Sequence, residues 1–317
     1  MRIFLAGHRG LVGSTIHKIL KNTEHEIVVR THKELDLSNQ ALVNEFFAKE
    51  KFDQVYLAAA KVGGVYSNNV YPADFIYHNL MIQTNVIHAS HVNDVQKLLM
   101  LGSNCIYPRV TEQPIKENLL MTGHLEPTNE PYAVAKIAGV KMCESYNRQY
   151  GRDYRSVLPC NLYGPGDNFD VDAGHVAAGI IHKMHTAKIN GDNIVKIWGT
   201  GRPRREFLYS EDMAEACIHV MNVEKDKWDA VTEPRCNYVN LGSGYDIPIS
   251  EFVKITAEVV DYQGGIEYDT TRPDGAMSKL TDNSKINSLG WKPRVELIDG
   301  LKLTYEWYLN NVATKTN

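Results

Sequence analysis

Three polar side chains in the first half of the chain have the types and spacing for proton transfer beside a carbonyl. Tyr132 and Lys136, in "EPYAVAK", stand four residues apart, on one face of a predicted helix. Ser103, in "LGSNCIYP", directly follows the apolar run 98–101. A lysine ammonium beside a phenol favours the phenolate and lowers a pKa that is ordinarily ~10. The tyrosine can then trade a proton with a substrate oxygen near neutral pH while the serine hydroxyl holds the same oxygen. Chance alone supplies a Tyr-x-x-x-Lys spacing, so the weight rests on position: the pair follows the strand that ends in the serine. Cys105 lies two residues beyond Ser103, and by residue type alone it reads as a packed thiol.

Gly7, Gly10 and Gly13, in "GHRGLVG", lie between an apolar run that reads as a strand and a helical pattern. Glycines at this spacing allow a tight turn and close approach of backbone N–H groups to a pyrophosphate, and a helix N-terminus adds a favourable dipole. This is the signal of a dinucleotide site, in which Lys136 can also hold a nicotinamide ribose. An acidic residue at the end of the second strand would hold an adenine ribose 2′-OH and repel a 2′-phosphate. Here that strand ends "VVRTHKEL", with Arg30, His32 and Lys33 before the first carboxylate, Glu34, and Arg9 adds positive charge from the loop. The pattern favours NADP(H) over NAD(H). The competing reading is that Arg30 and Lys33 are solvated surface charges.

The elements that must position these groups follow from the hydrophobic pattern. "RIFLA", "EIVVR" and the stretches 52–60, 97–103 and 154–161 read as strands, with helical stretches between them. Such alternation implies an α/β fold, a Rossmann-type doubly wound parallel sheet with ligands at the C-terminal strand ends. Gly7, Lys61, Ser103 and Asn161 fall at those ends. After "LYGPGDNF" the alternation loosens. The pattern predicts a Rossmann domain over 1–166 with a segment returning near 206–235, and a smaller α/β substrate-binding region from 167–205 and 236–317.

A net charge of −4 gives no basic field for nucleic acid or membrane, so an anionic substrate must be held by local basic residues. Five scattered cysteines without a CxxC fit free thiols in a reducing compartment and argue against a disulfide framework or a zinc site. No apolar run approaches a membrane span, and "MRIFLAG" breaks too early for a signal peptide, so a cytoplasmic protein is expected.

From "MRIFLAGHRGLVGS" through "VYLAAAKVGGV", "YPADFIYHNL", "EPTNEPYAVAKIAG" and "NLYGPGDNF" to "RPDGAMSKL" and "LGWKP", nearly the whole chain resembles the extended short-chain dehydrogenase/reductases. Among them it is similar to the GDP-L-fucose synthase family. The resemblance implies an NADPH-dependent 3,5-epimerase and 4-reductase acting on GDP-4-keto-6-deoxymannose. It also implies a homodimer through helices 79–92 and the one carrying Tyr132. The NADP(H) site it implies comprises Gly7, Arg9, Gly10, Leu11, Val12, Gly13, Arg30, His32, Asp36, Leu37, Lys136, Pro159, Asn161, Leu162 and His175. Cys105 and His175, the latter in "DAGHVAAG", take the roles of base and acid on opposite faces of the sugar ring. Tyr132 and Ser103 would stabilise an enolate oxygen before they serve the reduction.

A helix opening near His175 would disfavour its charged form, and a bound diphosphate would favour it. Lys183, Trp198, Arg205 and Lys279 are the candidates for the GDP portion, with Arg205 able to meet the diphosphate bidentately. Lys61 and Asn161 are the candidates for orienting the sugar. Trp198 has the alternative of filling core, and Asn161 that of satisfying a turn. Three positions depart from the family pattern: His32 where arginine is usual, Asn104 for serine and Cys160 for threonine. The alternatives are another nucleotide-sugar 4-reductase, 4-epimerase or dehydratase of the same fold, and more remotely a non-catalytic NADP(H)-sensing protein. A dehydratase would be expected to show a glutamate beside this serine, and a dead sensor to have lost Ser103, Tyr132 or Lys136.

Overall fold

Strand β1 (Arg2–Ala6) shows why the chain folds in layers. Ile3 and Leu5 point to one side of it, Phe4 and Ala6 to the other, and all four are buried. A strand apolar on both sides needs cover on both sides. The computed structural model describes residues 1–170, 174–271 and 274–315. Residues 171–173 of "DAGHVAAG" and its approach, and 272–273 of "RPDGAMSKL", lie outside the described residues.

The next strands are β2 (Glu26–Val28), β3 (Gln54–Leu57), β4 (Lys97–Leu101), β5 (Asp153–Pro159) and β6 (Asn161–Tyr163). They are followed by β7 (Ile194–Trp198), β8 (Arg204–Tyr209), β9 (Tyr238–Leu241), β10 (Asp246–Pro248) and β11 (Gly265–Asp269). Six of these form one parallel sheet in the order β2-β1-β3-β4-β5-β9. The order reverses direction at β1, so β1 and β3 flank the switch point where such sheets take ligands. Register levels the strand ends there: Ala6 pairs with Leu57, Leu57 with Met100 and Leu101 with Val157.

The helices in chain order are α1 (Leu11–Leu20), α2 (Gln40–Glu50), α3 (Val65–Val70), α4 (Pro72–Val92), α5 (Glu130–Tyr150) and α6 (Val176–Asn190). Then come α7 (Ser210–Asn222), α8 (Lys225–Val231), α9 (Ile249–Val260), α10 (Ser284–Ser288) and α11 (Leu297–Asn311). On one face of the sheet, Val12, Ile16 and Leu20 of α1 meet Met213, Cys217 and Val220 of α7. On the other, Val43 and Phe47 of α2 and Val86 and Ile87 of α4 pack on Phe4, Val55 and Leu98. Each such side chain contributes roughly 1.5–3 kcal/mol by leaving water. The fully buried Arg155 on β5 ties down the end of α7, donating to the carbonyls of Val220 and Val223.

The chain leaves the parallel sheet at Cys160. One residue later β6 begins a three-stranded sheet, parallel to β8, which is itself antiparallel to β10. Strands β7 and β11 pair separately, in parallel. A second core joins Ile180, Ile181 and Met184 of α6 to Phe207 of β8, Phe252 of α9 and Leu301 and Tyr308 of α11. His182 and His185, which the sequence gives no role, fasten α6 to α11 through the hydroxyls of Tyr308 (2.9 Å) and Tyr305 (3.0 Å).

The expected boundary differs at one strand. Residues 238–241 were placed with the substrate region, but they form β9, the sixth strand of the parallel sheet, paired to β5. Ile286 and Trp291 also pack in the core shared by α1 and α7. The last third of the chain therefore serves both regions. A run as short as "YVNL" carries no period that says which sheet it joins. No helix among the described residues is long and apolar enough to cross a membrane.

Candidate active site

The glycine loop is shaped by contact with its own fold. Gly7 has φ +88°, and a Cβ there would lie 2.7 Å from the backbone N of Ala59 after β3. A Cβ on Gly13 would overlap the Gly7 carbonyl, so α1 crosses the loop at backbone distance. Gly10 differs from both: it is exposed, it caps α1 with no side-chain bond, and only Gly7 O lies within 3.5 Å of its missing Cβ. Space kept open above a helix N-terminus, with no acidic residue in the first turn, fits a pyrophosphate. Leu11 and Val12 open the helix, and Arg9 is exposed beside them. His8 Nδ1 in the same loop is buried with no partner among the described residues.

The positive charge expected at the 2′-phosphate is more constrained than the sequence suggests. Arg30 Nη2 pairs with Glu50 Oε1 at 3.0 Å, its Nη1 donates to the Val29 carbonyl, and the guanidinium lies over the Phe46 ring. It is neither a solvated cation nor turned out to a ligand. His32 is exposed, 3.7 Å from Asp36. Asp36 accepts from both the backbone and the hydroxyl of Ser38, which holds its carboxyl below the usual range. The Leu37 carbonyl accepts from Asn85.

The end of β4 and the start of α5 bring the reactive trio together. Ser103 is extended, and its Oγ accepts from the Cys105 backbone N at 3.3 Å, capping a short 3-10 turn. Gln83 of α4 donates to the Ala135 carbonyl, which fixes α5 where Tyr132 and Lys136 lie. Lys136 is buried, donates to the Leu101 carbonyl at 2.8 Å, and is held down to about 8 by burial. Its Nζ is 5.8 Å from the centre of the Tyr132 ring, whose edge meets Phe75. Burial pushes the Tyr132 phenol up, and the Cys105 thiol adds to the effect. Burial thus acts against the expected shift toward phenolate. The ammonium is bonded to a backbone carbonyl.

All five cysteines are unpaired; four are buried, and Cys105 alone is partly open. Burial around the sulfur raises the Cys105 thiol, opposed first by Lys279, then by Ser103 and Lys136. His175 sits at the N-cap of α6, half-exposed, with Nδ1 3.3 Å from Asp167 Oδ1. That bond raises its pKa against the opposing pull of burial. Asp167 was missed in the sequence: it sits in "GPGDNF", eight residues before the histidine, with nothing in the spacing to announce the contact.

The residues assigned to substrate divide. Lys183 and Trp198 meet each other, the ammonium 4.4 Å from the indole centre. Lys61 pairs with Asp74 at 2.7 Å and lies over Phe75, which carries it to the Tyr132 side. Arg205 donates to the Ala276 carbonyl, and Asp274, also missed, holds the Thr200 backbone and hydroxyl nearby. The Asn161 amide donates to the Glu206 carbonyl of β8, and not to the turn that follows it. Pro159 ends β5 and Leu162 lies in β6, on either side of the sheet change. Lys279 is buried against the Asn104 carbonyl at 3.4 Å, beside Cys105.

Residues 3–231 match the model of the NAD dependent epimerase/dehydratase family. The chain is 52% identical to the GDP-L-fucose synthase of Escherichia coli (strain K12), over 98% of this chain and 97% of that protein. GDP-L-fucose synthase 1 of Arabidopsis thaliana is 50% identical over 99% of this chain and 95% of its own. A solved GDP-L-fucose synthetase from Naegleria fowleri, bound to NADP, superposes with a TM-score of 0.87 at 27% identity, covering 99% of this chain and 95% of that one. The chain belongs to the NAD dependent epimerase/dehydratase family and groups within it with the GDP-L-fucose synthases.

Proposed function

We propose that the protein is an NADPH-dependent 3,5-epimerase and 4-reductase that converts GDP-4-keto-6-deoxymannose to GDP-L-fucose. One observation carries the reading: a partly open thiol, Cys105, shares its surroundings with the reducing trio of Ser103, Tyr132 and Lys136. Reduction alone has no use for it. The C3 and C5 protons of a 4-ketone are acidic because the carbonyl takes the charge as an enolate. Cys105 removes such a proton from one face, and His175, whose pKa Asp167 raises, returns one to the other. Ser103 and Tyr132 hold the C4 oxygen throughout.

A phenol kept protonated by burial suits the last step, in which Tyr132 donates to the C4 oxygen. NADPH, when bound, supplies the hydride to C4. Gly7, Gly10, Gly13 and the start of α1 would hold its diphosphate, Arg9 and His32 would supply positive charge for its 2′-phosphate, and Lys136 would serve its ribose. Lys183 and Trp198 hold the GDP end with Arg205. The protein works as a homodimer through α4 and α5, whose outer surfaces expose Tyr77, Val92, Val134 and Tyr150. A reduced Cys105 fits a cytoplasmic setting.

The test is NADPH consumption with GDP-4-keto-6-deoxymannose, with the product sugar read by NMR. GDP-L-fucose is the expected product. A product that keeps the D configuration would make the chain a simple 4-reductase and return Cys105 to a packing role.

A further inference from the structure

Lysines are seldom buried without an anion, because removing an ammonium from water is costly. Lys279 is 8% exposed, and among the described residues its hydrogen bond is to a neutral group, the Asn104 carbonyl at 3.4 Å. Asn104 is the residue between Ser103 and Cys105. Among the described residues, three ionisable groups act on the ammonium: Cys105 and Glu126, which favour its charge, and Arg205, which opposes it. Glu126 already has a cation of its own, Arg109 Nε at 3.2 Å, and a hydroxyl donor in Thr128. Among the described residues, two cations act on the thiol, Lys279 first and Lys136 second. Around it stand Ser103, Tyr132, Lys136 and Lys279, and Lys136 is bonded to the Leu101 carbonyl.

We propose that Lys279 is a positioning residue for the proton-transfer thiol: a buried cation, anchored on the Asn104 carbonyl, that stabilises the anionic form of Cys105. This rests on the reading of Cys105 as the epimerisation base, and it replaces the expectation that Lys279 meets the GDP portion. The chemistry balances without any further reactant. The C–H bond beside the ketone breaks, its proton forms the S–H bond, and its electron pair becomes the enolate, with charge on the C4 oxygen. Negative charge moves from sulfur to oxygen within one pocket. A fixed cation beside that pocket faces an anion before and after the step, so it does not have to reorganise. Burial alone would hold the thiol protonated, and Lys279 is the largest influence against it.

The experiment compares Lys279→Met, Lys279→Gln and Lys279→Arg with the parent chain in two measurements. The first is the pH dependence of iodoacetamide alkylation of the protein without substrate, with Cys105→Ser as the control that identifies the reactive thiol. The second is deuterium incorporation at C3 and C5 of the GDP-4-keto-6-deoxy sugar. The neutral variants are expected to move the alkylation midpoint to higher pH and to slow exchange at neutral pH about tenfold or more. Lys279→Arg is expected to recover most of both. Lys279→Gln keeps a donor for the Asn104 carbonyl and serves if the methionine variant does not fold. An unmoved midpoint, with only the KM for the GDP-sugar raised, overturns the proposal and returns Lys279 to the diphosphate. Full exchange in Cys105→Ser overturns the base reading instead, and the midpoint separates the two failures.

Discussion

The two ends of the cleft are built on different principles. The diphosphate end of the proposed cofactor site is one short stretch of chain, residues 7 to 13, whose shape is set by backbone meeting backbone. The proposed substrate end is assembled from 103–105, 132–136, Asp167 with His175, 183–205 and 274–279, and its groups act on one another through charge. A contiguous steric device tolerates no added atoms at its contacts. A dispersed electrostatic one keeps its fold when a charge is removed, and loses chemistry. The sharpest break of that comparison lies within the glycine loop itself. Gly13→Ala drives a methyl into the Gly7 carbonyl, with no flexible side chain to give way. It should cost roughly 3 kcal/mol and abolish NADPH binding, read by thermal melting and cofactor fluorescence. Gly10→Ala should leave the melting temperature unchanged yet weaken NADPH, because the open space there belongs to the ligand. Equal melting losses in both would refute the division of labour.

At the other end, removing Lys136 should spare the fold and strip the chemistry. Its ammonium joins the Leu101 carbonyl to the neighbourhood of Tyr132 and Cys105. Lys136→Ala is expected to lower hydride transfer by about 10²–10⁴-fold, with a much smaller change in GDP-sugar affinity. Stopped-flow NADPH oxidation against inhibitor binding separates the two. An unaffected rate would remove the trio from the mechanism.

Asp167 offers a finer probe, through pH. Its bond raises His175 above the ordinary histidine value, against the pull of burial. Replacing it by asparagine lets burial win, and the alkaline limb of C3/C5 exchange should move to lower pH. The same pairing contributes stability that is present below the unfolded histidine value and lost as pH rises through the raised native one. The parent chain should therefore lose this contribution on the alkaline side, and Asp167→Asn should not. An NMR titration of His175 that is identical in both chains would sink the assignment.

How much of this could be read from residues alone follows the same division. The parallel sheet, the glycine loop and the Ser103–Tyr132–Lys136 grouping were legible, because each is local or follows from a period of alternation. Strand β9 was not, since four apolar residues do not say which sheet they join. The neighbours Asp167 of His175 and Lys279 of Cys105 were hidden by loops that fold back, in the second case across more than half the chain. Charge states were the least legible of all. The sequence paired Lys136 with the phenol, but burial decides the tyrosine, and a backbone carbonyl takes the lysine.

Arg30 gives the smallest effect and tests whether sign alone predicts a cofactor contact. Its type and its place at the end of the second strand argue for the 2′-phosphate, but its guanidinium is shared among Glu50, the Val29 carbonyl and the Phe46 ring. Breaking a partly exposed pair of this kind is worth about 0.2–1 kcal/mol, so leaving Glu50 is affordable only if the phosphate returns more. Arg9, exposed on the loop, makes no such ion pair among the described residues. Arg30→Ala should therefore change the NADPH-over-NADH preference by less than about threefold, and Arg9→Ala should change it more. Titration of each variant with both cofactors measures this directly. A larger loss in Arg30→Ala would mean that the arginine leaves Glu50 when the 2′-phosphate arrives, and that the cofactor end is partly electrostatic after all.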